Sequence, residues 1–440
     1  MTNGIATETV LKIKKNGTAI ITGAGLQMYN VYDPMQGTLH LVVSIEAGDY
    51  IECTHDGDHA TTKVNSGAYF TAFRTRGHYS SAFYTTKADT TETADNYDLY
   101  DTTNEGGVVS SKVNGVTYTG SNGRFTPSVT RRFLFLSTWF FKVTGGAASG
   151  YQHKLAIDGS AIDDATAGAV ASRTPACHTY SLLKEVTSAE YASVKRDNTT
   201  DQAFDLEVGT CFTLLDVSNN GTDPTAMLCF SLTNDSNALA DDSGDIDVFD
   251  EDNYGTFAKT DHVTATGITY TKADGKFTVE AGGVYLVILN LISDTVTGGN
   301  TPTDVKIVKN GSAYFTNPHH TNSTFDPVSH VICLVMKLDP GDYLNFVVNN
   351  HGADIDDGTS VTMIKIDEVG ESRDLTFESS PSSQIADDYT INTLDSNVLT
   401  SQRIRTTGKV LPFSMGHTGP RYLRGRTTSY SPSMGGKVKK

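Results

Sequence analysis

Residues 268–292 read Ile268-Thr-Tyr-Thr271, a turn through Asp274-Gly275, then Gly275-Lys276-Phe277 and the apolar run Val284 to Ile292. The same pattern stands earlier in the chain. Val116-Thr-Tyr-Thr119 matches Ile268-Thr-Tyr-Thr271, and Gly123-Arg124-Phe125 matches Gly275-Lys276-Phe277. Phe133-Leu-Phe-Leu-Ser-Thr-Trp-Phe140 lies over Tyr285-Leu-Val-Ile-Leu-Asn-Leu-Ile292. Asp158-Gly159-Ser160 recurs as Asn310-Gly311-Ser312, and Tyr191 as Tyr343. The offset is constant (275 − 123 = 152) and no gap is needed. A repeat this long is a whole domain duplicated, not a solenoid unit.

The N-terminal segment is half of a further copy. Lys15-Asn16-Gly17 matches Lys309-Asn310-Gly311, Gly48-Asp49-Tyr50 matches Gly341-Asp342-Tyr343, and Tyr69-Phe70-Thr71-Ala72 is set against Met363-Ile364-Lys365-Ile366. That copy lacks its leading strands. The C-terminal region reads as the opening of a fourth: Ala386-Asp387-Asp388-Tyr389 echoes Ala94-Asp95-Asn96-Tyr97, and Gly408-Lys409-Val410 echoes Gly275-Lys276-Phe277. The expected division is a partial unit over 1–80, full units over 81–217 and 218–370, and an extended basic arm over 371–440.

Each full unit is a series of strands. Ile268-Thr-Tyr-Thr271 and Val305-Lys-Ile-Val308 alternate apolar and polar residues, as half-buried strands do. Asn310-Gly311 is a hairpin turn and Asp339-Pro-Gly-Asp342 a second turn. His330–Leu338, Tyr343–Val348 and Val361–Ile366 complete the set. The run 284–292 differs, being apolar on both faces. Tyr285, Val287, Leu289 and Leu291 point one way, and Leu286, Ile288 and Ile292 the other. An antiparallel strand with one wet face would alternate, so both faces are covered. One side is the sandwich core, and a subunit interface is expected on the other, with cover by the chain's own loops as the alternative. Phe133, Phe135 and Trp139 join Tyr285, Val287, Leu289 and Leu291 as the core and interface set.

The order Gly-Lys-Phe-Thr, Ala-Gly-Gly-Val-Tyr, Lys-Asn-Gly and Leu-Asp-Pro-Gly-Asp-Tyr, then a closing apolar strand, resembles the jelly roll of the tumour necrosis factor and complement globular-head superfamily. The resemblance spans roughly 268–367. It is weaker over 116–215, where Arg131-Arg132-Phe133 replaces Gly-Val-Tyr, and covers only the second half of the fold over 11–74. It implies compact trimers, with the Gly283-Val284-Tyr285 strand near the threefold axis, and binding in place of catalysis. The expected fold is therefore all-β: tandem jelly-roll β-sandwiches, one half copy and two full copies, with an extended basic C-terminal arm. The exposed edge of the half copy needs a partner strand. That strand is expected from elsewhere in the assembly, with closure by 386–413 of the same chain, or by 1–10 with 76–110, as the alternatives.

The composition fits. Of 440 residues, 38% are hydrophobic and 40 are Gly, with short apolar runs punctuated by turn residues. The net charge of −17 argues against a nucleic-acid surface. It is unevenly spread. No acidic residue follows Asp395, while Arg403, Arg405, Lys409, Arg421, Arg424, Arg426, Lys437, Lys439 and Lys440 do. A basic tail on an acidic body reads as a docking arm. Cys53, Cys177, Cys211, Cys229 and Cys333 do not repeat with the fold, so free thiols are expected. Met1 is followed by no basic-then-apolar leader, and the longest apolar run is too short for a membrane helix, so no membrane association is expected.

Candidate chemistry is sparse. His55, Asp56, Asp58 and His59 form the densest cluster of potential ligands for a divalent metal, set against the alternative of a solvated loop. Asp245 to Asp252 is rich in oxygens but lacks the Gly and Glu of a calcium loop, so it reads as an acidic linker. No hydrolase, P-loop, Rossmann or zinc-protease motif occurs, and no enzyme is expected. The expectation is a structural virion protein of a bacteriophage: a decoration, minor capsid, head-fibre or tail-associated component. Its expected partners are its own copies, as a homotrimer, and capsid or tail subunits docked through the arm. The alternative is an adhesin binding a glycan receptor.

Overall fold

Asn16, Asp158 and Asn310 each hold a left-handed backbone, at φ 53°, 50° and 52°. Each precedes a glycine, Gly17, Gly159 or Gly311, at φ 79°, 77° or 76°. Two successive positive φ angles make the hairpin turn whose twist suits antiparallel strands. The side chain of each turn residue then fixes a distant strand. Asn16 Oδ1 accepts from the Tyr50 N–H at 3.0 Å, Asp158 Oδ1 from Tyr191 at 3.0 Å, and Asn310 Oδ1 from Tyr343 at 2.9 Å. Three copies of one clamp mark three copies of one fold.

The computed structural model describes residues 7–23, 26–28, 37–44, 46, 49–57, 69–73, 77–86, 97–103, 109–143, 149–169, 176–198, 204–217, 225–229, 244–250, 264–295, 301–321, 328–349, 353–355, 359–366, 372–376, 389–390 and 404–405. They form an all-β set of antiparallel jelly-roll sandwiches.

The second and third jelly rolls are built alike, each from two six-stranded sheets. In the second, the inner sheet runs Ala176–Val186, Arg131–Val143, Cys211–Asp216, Tyr79–Tyr84, Val109–Asn114. In the third, the corresponding order is Val328–Leu338, Gly283–Thr295, Ser360–Ile366, Thr225–Cys229, Thr264–Thr266. The outer sheets match in the same way. The acidic stretch read as a linker contributes a strand here: Asp245–Asp247 pairs with Tyr343–Asn349, as Tyr97–Asp98 pairs with Ala192–Asn198.

The first jelly roll joins the two ends of the chain. Tyr50–Gly57 pairs on one side with Thr7–Lys15 and on the other with Tyr389–Thr390 and Ile404–Arg405. Ser372–Thr376 pairs with Tyr69–Phe73. The register is that of the other copies. One residue after the clamped tyrosine, Ile51 pairs with Ile404, Ala192 with Phe125, and Leu344 with Phe277. Five residues after it, His55 pairs with Tyr389, Arg196 with Tyr97, and Val348 with Ile246. The missing leading strands are therefore supplied by the C-terminal segment of the same chain, a circular permutation, where the sequence favours another molecule. Residues 371–440 are not wholly an extended arm, since three of their segments are strands. The echo at Gly408-Lys409-Val410 is misplaced by six residues, because Ile404 occupies the Phe277 position.

Among the described residues, the second face of the apolar strand is covered within the chain. Tyr285, Val287, Leu289 and Leu291 line the third sandwich's own core. Leu286, Ile288 and Ile292 pack into one cluster with the core of the second jelly roll. Burying such side chains contributes about 1.5–3 kcal/mol each. The sequence places a separate subunit there. An apolar face demands a cover and is indifferent to which chain provides it, and here a sister domain does so.

Candidate functional site: the seams between the jelly rolls

One sequence position recurs at all three seams. His40, Ser181 and Cys333 lie ten residues before Tyr50, Tyr191 and Tyr343, respectively. Each meets the next jelly roll. His40 Nδ1 lies 3.1 Å from Thr213 Oγ1, and its Nε2 lies 3.5 Å from Cys211 Sγ, joining the first to the second. The Ser181 carbonyl accepts from Ser360 Oγ at 3.4 Å, joining the second to the third. The Cys333 carbonyl accepts from Thr71 Oγ1 at 2.6 Å, joining the third to the first. The contacts run head to tail and close.

The receiving strand carries a shared pattern: Tyr69-Phe70-Thr71-Ala72-Phe73, Cys211-Phe212-Thr213-Leu214-Leu215 and Ser360-Val361-Thr362-Met363-Ile364. Register agrees, since Thr213 pairs with Leu136 and Thr362 with Ile288, which are equivalent positions on the central strand. The ungapped alignment over Met363–Ile366 is therefore three residues out. The x-apolar-Thr-apolar-apolar pattern is the sequence signal that locates the seam threonines Thr71 and Thr213, while in the third jelly roll Ser360, two residues before Thr362, makes the contact.

The seams are mixed in character. Ile13, Ile21 and Ile51 of the first jelly roll share a cluster with Phe83 and Cys211 of the second, and Phe140 packs against Leu39. Between the second and third, Ser329 Oγ donates to the Thr179 carbonyl at 3.0 Å, and the Thr179 N–H donates back to Ser329 Oγ at 3.4 Å. Gly209 approaches Gly23 so closely that a Cβ on Gly209 would lie 2.5 Å from Gly23 Cα.

This environment does not favour nucleophilic chemistry. Cys211 beside His40 has the outline of a thiol–imidazole pair. Burial, however, pushes the Cys211 thiol up to about 12 and the His40 imidazole down to about 3, so both are neutral near pH 7. Burial likewise pushes Cys177 up to about 11 and Cys53 higher still. Cys53, Cys177, Cys211 and Cys333 are free thiols.

Of the residues singled out in the sequence, Phe133, Phe135, Trp139, Tyr285, Val287 and Leu289 are fully buried, and Leu291 nearly so. His55 and Asp56 lie on the strand Tyr50–Gly57, while Asp58 and His59 fall outside the described residues. Among the described residues, no group of three or more His, Cys, Asp or Glu side chains is placed to hold a metal ion. Arg405 lies in a strand of the first jelly roll. Arg403, Lys409, Arg421, Arg424, Arg426, Lys437, Lys439 and Lys440 fall outside the described residues. No described helix is long and apolar enough to cross a membrane.

No family model matches the sequence, and no curated protein matches it. Several solved structures are similar in fold. Eiger TNF from S. frugiperda is 14% identical, with 34% of this chain and 95% of that one covered at a TM-score of 0.25. Rabbit GITRL is 14% identical over 33% of this chain and 94% of that one, at a TM-score of 0.22. Pika GITRL is 17% identical over 25% of this chain and 91% of that one, at a TM-score of 0.20.

A surface hollow beside Arg132, Leu183, Lys184 and Glu185 encloses about 150 Å³. Small-molecule sites usually need about 300 Å³ or more.

Proposed function

We propose that this chain is a structural, non-catalytic component of a virion, acting as a self-contained assembly unit that docks through its basic C-terminal residues. The observation that carries this reading is the use of the chain's strongest apolar surface to join one jelly roll to another, which leaves a rigid body in place of a reaction site. The thiols and imidazole at the seam are held neutral, which weighs against catalysis there. The acidic body and the basic tail then divide the work, with the body giving shape and the tail giving attachment to an acidic shell surface.

The test is particle association. An antibody against the chain should label purified particles, and a chain ending at residue 406 should fold but no longer bind them. That truncation keeps Ile404–Arg405 while removing Lys409, Arg421, Arg424, Arg426, Lys437, Lys439 and Lys440. Absence of the chain from particles would overturn the proposal.

A further inference from the structure

Trp139, the only tryptophan of the chain, is stacked on the His153 imidazole with ring centroids 3.9 Å apart. His153 Nδ1 stands 3.2 Å from His178 Nδ1, and both rings are buried inside the second sandwich. Such a contact needs one bare ring nitrogen to accept the other ring's N–H, so it fails when both rings are charged. His40 of the first jelly roll lies close enough across the seam to oppose charge on His153. We propose that His153, His178 and His40 form an acid-sensitive latch, whose protonation loosens the second jelly roll and its seam with the first while the third stays closed.

The surroundings favour neutral rings. His153 faces His178 and Tyr180 on Ala176–Val186, and His40 from residues 37–44. It stands opposite the buried Arg196 on Ala192–Asn198. His178 stands opposite Trp139. His40 meets Cys211 and Thr213 on Cys211–Asp216. Among the described residues, no carboxylate supports a charge on His40 or His153. Burial, then His178, then His40 hold His153 well below the ordinary histidine range.

The sign follows from linkage. A histidine whose folded value is depressed contributes its stability above the unfolded value of about 6.5 and loses it as the pH falls toward the folded value. If opening takes up two protons, the open population rises about 100-fold per pH unit below about 6. The third jelly roll is the internal control. His330 takes the His178 position there, but Val305 replaces His153 and Leu291 replaces Trp139, so this histidine pair is absent.

The test is a titration of Trp139 fluorescence on the full chain from pH 7.5 to 4, with hydrogen exchange followed at each pH. The expected result is a reversible change with its midpoint between about pH 4 and 6. Exchange should accelerate in Arg131–Val143 and residues 37–44 before Gly283–Thr295. His153→Val and His40→Ser install the residues that sister copies hold at those positions. Each should lower the midpoint by about half a pH unit or more. A native chain unchanged down to pH 4, simultaneous opening of all three jelly rolls, or an unchanged midpoint in the variants would overturn the latch. If His153→Val does not fold, His40→Ser and the order of exchange in the native chain decide the matter.

Discussion

Thr71 Oγ1 donates to the Cys333 carbonyl at 2.6 Å, across 262 residues of chain. This bond joins the first jelly roll to the third and closes a cycle begun by His40 with Thr213 and continued by Ser181 with Ser360. Each jelly roll therefore makes one such contact with each of the other two. Thr71→Val keeps the shape and removes the donor, leaving a partly buried carbonyl without that bond. The expected cost is about 1 kcal/mol, read by denaturant unfolding, with faster hydrogen exchange in Tyr69–Phe73. No change in either readout would remove the bond from the account.

Gly209 tests the seam between the first and second jelly rolls. Its φ is 88°, and a Cβ would meet Gly23 Cα at 2.5 Å and the Thr22 carbonyl oxygen at 2.6 Å. Gly209→Ala should cost about 1–3 kcal/mol through backbone strain, with a further penalty from displacing Thr22 and Gly23. Limited proteolysis should then cut within residues 7–57 before it reaches the third jelly roll.

The turn clamp allows a sharper comparison. Asn310→Ala loses both the tolerance for φ 52° and the bond to the Tyr343 N–H. A loss of about 1–3 kcal/mol is expected. Asn310→Asp should cost less, because Asp158 performs the same role in the second jelly roll at φ 50°. Equal losses for the two variants would place the cost in the bond from Asn310 Nδ2 to Asp342 Oδ1 at 2.7 Å, which an aspartate cannot donate.

Asp247 gives a pH signature opposite to that of the histidines. Burial pushes its carboxyl up to about 7 against the bonds from Phe249 N–H and Asn345, with Asp250 and Asp274 adding to the rise. A raised carboxylate value favours the folded state below the unfolded value and loses that contribution as pH rises through the folded one. The melting temperature of Asp247→Asn relative to the native chain should therefore improve from pH 5 to pH 8. The slope is at most about 1.4 kcal/mol per pH unit. A difference independent of pH would mean that Asp247 does not titrate in this window.

Much of the fold was legible in the sequence because its signals are local. Asp158-Gly159 and Asn310-Gly311 announce their turns, and the strand expected at 268–271 is observed at Ile268–Thr271. The apolar run 284–292 lies inside the strand Gly283–Thr295, and its two faces divide as the alternation requires. Three features were not legible. An apolar face such as Leu286 and Ile288 does not say whether its cover lies in the same chain. Tyr389–Thr390 and Ile404–Arg405 are two-residue strands, too short to carry a period, and only their register against His55 and Ile51 identifies them. His153 and His178 stand on different strands, and the facing of the two sheets brings them together.

The central claim is that the three jelly rolls of one chain pack on one another in a closed cycle. The solution mass of the full chain, by light scattering after size exclusion at micromolar concentration, tests it most directly. The account predicts 47.3 kDa, one chain. A mass of about 142 kDa, three times 47.3 kDa, that falls to one chain only when the Leu286 and Ile288 face is made polar would contradict it, because that face would then be joining separate molecules.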